Sequence, residues 1–155
     1  MFKPVCALLA ALASVAAMPA SAAEVRAQDV ASVVTAMKKA GYKADLTQDG
    51  VGDPMITSAL DGTKFVVLFY NCTEHVDCRT IQFSTGYTGS SADVNDMNKW
   101  NSSQRFGRAY IDDEGDPALQ MDIDLDDGGI SQALFEDNLE FWASLVPRFE
   151  DAIGN

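Results

Sequence analysis

The sequence predicts a single-domain α+β fold, an antiparallel sheet packed with helices, in the order α-β-β-β-α-β-β-α. Three observations predict it. Near the C-terminus Phe135, Leu139, Trp142, Val146, Phe149 and Ile153 recur at helical spacing and form one broad apolar stripe. Upstream, Leu119, Met121, Ile123 and Leu125 alternate with Gln120, Asp122, Asp124 and Asp126, which is a strand with one face in the core and one in water. Between "MITSAL" and "KFVVLFY" stands Asp61-Gly62, the dipeptide that best closes a hairpin. Hairpin-linked strands with helices between and after them build an antiparallel α+β domain with helices on one face of the sheet.

The elements follow in chain order. Residues 1–22 read as a Sec-type signal peptide. Lys3 supplies a positive start, "VCALLAALASVAAM" a short apolar run, and Ala20-Ser21-Ala22 a cleavage site before Ala23. The run is too short and Ala-rich for a membrane anchor. Cleavage leaves residues 23–155 as one domain, and the expected destination is the periplasm or the medium. "AQDVASVVTAMKKAGY" is a helix, with Val30, Val33, Val34 and Met37 on one face and Gly41 as its stop. "DLTQDGVGDP" is turn chemistry. "MITSAL" and "KFVVLFY" are strands, the second apolar without alternation and so expected to be covered on both faces. "RTIQFSTGY" alternates, placing Ile81, Phe83, Thr85 and Tyr87 together. "SSADVNDMNKWNSS" is a short helix capped by Ser90 or Ser91 with Asp93 in its first turn. "RFGRAYID" and "ALQMDIDLD" are strands turned by "DDEGDP", and "GG" precedes the last helix, which Pro147 should kink or divide. No internal repeat or linker divides the chain.

Composition narrows the function classes. The formal net charge is −12, and loss of Lys3 deepens it. Such a surface repels nucleic-acid phosphates and anionic lipid alike, so neither nucleic acid nor a membrane is an expected partner. No G-x-S-x-G or H-E-x-x-H motif occurs, and the single histidine is His75. No catalytic residue, cofactor or metal is expected.

The loop "NCTEHVDCRTIQF" holds Cys72, His75 and Cys78. Closed zinc sites take four ligands, and beyond these three the mature chain offers neither cysteine nor histidine. Export favours oxidation, and Cys72 and Cys78 flank a five-residue loop between two strands, within a disulfide's reach. The expectation is a Cys72–Cys78 staple. "DIDLDDGG" and "DLTQDGVGD" approach the EF-hand loop, but Asp127 stands where the first needs glycine and Ile56 where the second needs its bidentate glutamate. They read as a strand's wet face and a turn. Asn95, Asn98 and Asn101 cluster around Trp100. Asn101 reads as a cap on the helix end and next loop, whereas Asn95, Asn98 and Trp100 are candidate binding residues.

Taken together, "DGVGDPMITSAL", "VNDMNKWN", "RFGRAYIDDEGDPALQMDIDL" and "GGI" resemble the YbjN family, described as bacterial sensory transduction regulators, over about residues 28–152. The resemblance implies a fold similar to type III secretion chaperones, a protein-binding scaffold that is often a dimer. It carries no catalytic residues. The signal peptide and the cysteine pair depart from a cytoplasmic regulator. The expected function is a non-enzymatic module that binds a protein or peptide, with a homodimer as a candidate assembly. The rival class is a small carboxylate-dependent hydrolase, which a deep pocket lined by two close acids would favour.

Overall fold

A computed structural model describes residues 24–155; the segment read as a signal peptide lies outside the described residues. The fold is α+β in one domain. A two-residue strand, β1 (Glu24–Val25), leads into helix α1 (Val30–Lys39). Three strands follow as an antiparallel run: β2 (Asp45–Gln48), β3 (Pro54–Leu60) and β4 (Thr63–Tyr70). β5 (Thr80–Gly86) precedes helix α2 (Val94–Ser103). The hairpin β6 (Arg108–Ile111) and β7 (Pro117–Asp124), a two-residue β8 (Ile130–Ser131) and the long helix α3 (Gln132–Ile153) complete the chain. The main sheet has six strands in the order β2-β3-β4-β5-β7-β6, every neighbour antiparallel. β1 and β8 pair apart from it.

The expected order holds, with three strands added. β1 and β8 are too short to leave a pattern. β2 falls in the stretch read as turn chemistry, and all four of its residues are exposed. An edge strand with no buried face has no alternation to betray it.

Alternation along the strands sends one set of side chains inward. Ile56, Phe65, Val67, Phe69, Ile81, Phe83, Leu119, Met121 and Ile123 are buried on that side. α3 lies across them: the Trp142 ring sits 5.9 Å from Phe65 and 5.8 Å from Phe83, and Phe135 lies 6.3 Å from Phe83. Six aromatic or aliphatic positions of the predicted stripe are all buried. Pro147 does not divide α3, which runs unbroken for 22 residues. Pro147 is exposed, so the carbonyl of Ala143 that loses its partner is on the side where water is near. The Trp142 indole N–H is the one buried side-chain polar atom without a partner among the described residues.

β4 corrects another expectation. Its inner residues Phe65, Val67 and Phe69 are buried, but Lys64, Val66, Leu68 and Tyr70 face outward and are only half-buried or exposed. The described helices all leave this outer face open. α2 closes an end of the core, with Trp100 5.0 Å from Phe149. Its cap is Asp93, not Ser90 or Ser91. The Asp93 carboxylate accepts from the Asn95 and Asp96 amides, and Asp96 reaches back to the Asp93 amide in a capping box. Ser90 is spent elsewhere, donating to the Ile153 carbonyl.

Two turns are built alike, although the sequence reads as free of repeats. In "DGVGDP" the Asp49 carboxylate accepts from the amides of Val51, Gly52 and Asp53. In "DDEGDP" Asp112 accepts from Glu114 and Asp116. Each turn joins an edge strand to its neighbour, the two hairpins forming opposite edges of the sheet, and each hairpin follows a ten-residue helix. The unit is too short and too divergent outside the turn to show as a repeat.

Candidate functional site

The α2 residues expected to bind a partner are divided by the structure. Trp100 is 4 % exposed and its indole N–H donates to the Gly107 carbonyl at 3.2 Å. Its ring belongs to the core, which corrects the expectation of a surface aromatic. It falls three residues after buried Met97, a spacing that already marks the inner side of a helix. Asn95 is exposed and donates to the Asp93 carboxylate, extending the cap. Asn98 is exposed. Asn101 fulfils its reading as a cap: its amide donates to the Ala109 carbonyl and its oxygen accepts from the Ala109 amide, both at 2.9 Å. Asn101 thereby pairs with the outer edge of β6 as a strand would, and guards it.

Cys72 and Cys78 are joined by a disulfide. The loop they close turns at Glu74 and His75, both left-handed with φ of 51° and 65°, between reciprocal backbone bonds of Thr73 and Val76. His75 Nδ1 meets Asp53 Oδ1 at 2.8 Å, tying this loop to the β2–β3 turn. That contact engages one ring nitrogen of the histidine.

The acids resolve in the same way. Asp49 is consumed by its own turn. On β7, Asp122 accepts from the Gln82 amide at 2.7 Å. Asp126 pairs with Arg79 at 3.2 Å. The amide of Asp127, then Arg79, hold the Asp126 carboxyl below its ordinary value. Arg105 precedes β6, and Arg108 stands opposite Gln120, to which its guanidinium donates.

A broad hollow lies on the outer face of the sheet, where β4, β5, β7 and β6 run side by side. It holds about 610 Å³ and is shallow; its walls are Tyr70 and Asn71, Thr80 and Gln82, Gln120 and Asp122, and Arg108 and Tyr110. The register assembles it: Gln82 stands opposite Asp122, and Gln120 opposite Arg108. Its floor is two buried glutamines. Gln82 donates to Asp122 and accepts from the Tyr70 hydroxyl at 3.4 Å. Gln120 accepts from Arg108 and donates to the Tyr110 hydroxyl at 2.9 Å. The Arg108 guanidinium also lies 5.7 Å from the centre of the Tyr110 ring. Burial first, then the Asp122 charge, raise the Tyr70 phenol above its ordinary value, which keeps it a proton donor. The cleft offers hydroxyl, amide and guanidinium donors, two aromatic edges and a single carboxylate. Sequence reasoning missed it. The only signal was glutamine at two outward strand positions where charged side chains are usual, and its meaning depends on cross-strand register.

Residues 29–155 match the model of the YbjN family, described as "Putative bacterial sensory transduction regulator". No curated protein and no solved structure matches the chain. Among the described residues no helix is long and apolar enough to cross a membrane.

Proposed function

This chain belongs to the YbjN family, and from that premise we propose that it is an exported, non-enzymatic regulatory module that binds a protein or peptide segment on the outer face of its sheet. The observation that carries the reading is the composition of that face. A sheet face left to water usually carries charge. Here the middle is Met55, Val66, Leu68, Ser84, Gln82 and Gln120, with Lys64 and Asp122 as charges among them and Tyr70, Tyr110 and Arg108 at the edge, in a chain with 23 acids. Interface centres are depleted of charge and enriched in tyrosine, methionine and arginine. The rival, a carboxylate-dependent hydrolase, calls for two acids facing one substrate. The cleft has Asp122 alone, and Gln82 engages it.

The test places a photo-crosslinking residue at position 110, with position 38 on α1 as control. Position 110 should capture a protein that position 38 does not, and Leu68→Glu should abolish the capture while leaving the fold intact. Equal capture from both positions, or capture that survives Leu68→Glu, would refute the surface. Export is checked by the N-terminus of the processed protein, expected at Ala23.

A further inference from the structure

The sheet-face cleft is polarised, and its two glutamines fix the sense. A guanidinium only donates, so Gln120 turns its carbonyl oxygen to Arg108 and its amide to the Tyr110 hydroxyl at 2.9 Å. The Tyr110 oxygen accepts that bond, which leaves its proton free to donate. An ionised carboxylate only accepts, so Gln82 turns its amide to Asp122 and its carbonyl oxygen to the Tyr70 hydroxyl. The Tyr70 proton is thereby spent. Unspent donors gather on β6, where the Tyr110 hydroxyl stands beside the guanidinium, and the cleft's carboxylate stands on β7.

Arg108 is held but not neutralised. Gln120 is uncharged and takes a single nitrogen of the fork, and the Tyr110 ring flanks it at 5.7 Å. No carboxylate of the described residues pairs with Arg108, although the chain carries 23 acids. A guanidinium fixed in place and short of an anion is matched by a carboxylate, which accepts two of its N–H groups side by side. Lys64 is another cation of this face, but a lysine is a flexible point charge with no such fork.

We propose that the segment docked on this face is extended, and that it delivers an acidic side chain to Arg108 and Tyr110 with an apolar side chain four positions away on Val66 and Leu68. This rests on the sheet face being the docking surface. Register supplies the spacing. Val66 stands opposite Ser84, Ser84 opposite Gln120 and Gln120 opposite Arg108, so one row crosses four strands. Its three strand spacings span about 14 Å, and an extended chain advances about 3.4 Å per residue, so roughly four residues cover the row. An even separation turns both side chains to the sheet. The residue midway lies over Ser84 and Gln120 beside Asp122, whose charge disfavours a second acid there. The segment lies across the face rather than lengthening the sheet at β6, because Asn101 already occupies that edge. A chain terminus is the other source of a carboxylate, but termini are captured by backbone amides, and a sheet face presents side chains.

A library of random peptides displayed on phage, selected on immobilised wild-type protein and on Arg108→Glu, Lys64→Gln and Leu68→Glu, tests the assignment. Wild type should enrich peptides with Asp or Glu four positions from a large apolar residue. Arg108→Glu should enrich Lys or Arg at the acid's position, Lys64→Gln should keep the wild-type preference, and Leu68→Glu should abolish the enrichment, all with unchanged circular dichroism spectra. A synthetic peptide from the wild-type set should lose at least about tenfold in affinity when its acid is replaced by the amide, and nothing when its C-terminus is amidated. Peptides that depend on Leu68 but carry no acid would overturn this assignment and leave the docking face standing. So would an acid preference that Lys64→Gln removes and Arg108→Glu does not, or an affinity lost on amidating the terminus. No enrichment that depends on Leu68 would overturn the docking face itself, and this assignment with it.

Discussion

Asn101→Ala probes how this sheet ends. The Asn101 side chain makes two 2.9 Å hydrogen bonds to Ala109, and Ala109 is buried. Each bond contributes about 1 kcal/mol net. Truncation removes both and strands a backbone donor and acceptor with little access to water, so the loss should be about 2–4 kcal/mol. A domain of this size shifts by roughly 4 °C per kcal/mol, which puts the melting point about 8–16 °C lower. Urea denaturation followed by circular dichroism measures the free energy directly. Asn98→Ala is the control: the same residue type, exposed on the same helix, should change stability by less than about 0.5 kcal/mol. If Asn101→Ala also falls within about 0.5 kcal/mol, with m-value unchanged, the two bonds are not the closure of β6 and the reasoning fails. If it holds, the variant also exposes a sheet edge and should self-associate at high concentration.

Three further outcomes follow from the core, the staple and the α2 cap. Trp142→Ala should cost about 3–5 kcal/mol as a buried cavity, whereas Trp142→Phe should cost less than about 1.5 kcal/mol, because the indole N–H it deletes has no partner; equal losses in thermal or chemical melts would contradict this. Cys72→Ser with Cys78→Ser should fold but lose about 2 kcal/mol on the chain-entropy account of a short loop, and intact mass should rise by two hydrogens when the wild type is reduced. Asp96 is held below its ordinary value of 3.8, first by Lys99 and then by the Asp93 amide. Its contribution is therefore present above the unfolded value and lost as pH falls through the lower folded one. The stability gap between wild type and Asp96→Asn should shrink from about pH 7 to about pH 3; a constant gap would refute the pairing.

Where one face of an element is buried, sequence alone determined it. The α3 stripe, the Leu119–Leu125 alternation and the Asp61-Gly62 hairpin are local patterns, written by the period of the backbone itself. The family was legible for the same reason, since its motifs are contiguous. The cysteine pairing was legible from the short loop between two strands. Tertiary structure decided the rest. β2 is exposed along its whole length and writes no pattern. Trp100 could be read as surface or core until α2 was packed on Phe149. Phe106 and Phe141 are 35 positions apart in the chain, and only the fold of the β6 hairpin against α3 stacks them. The cleft belongs wholly to this second class. Tyr70, Gln82, Gln120 and Arg108 sit on four different strands, and β7 enters the sheet beside β5 ahead of β6. A shift of one residue in any pairing would turn these side chains to the other face, so their meeting is a property of register, which long-range burial sets and no local stretch contains.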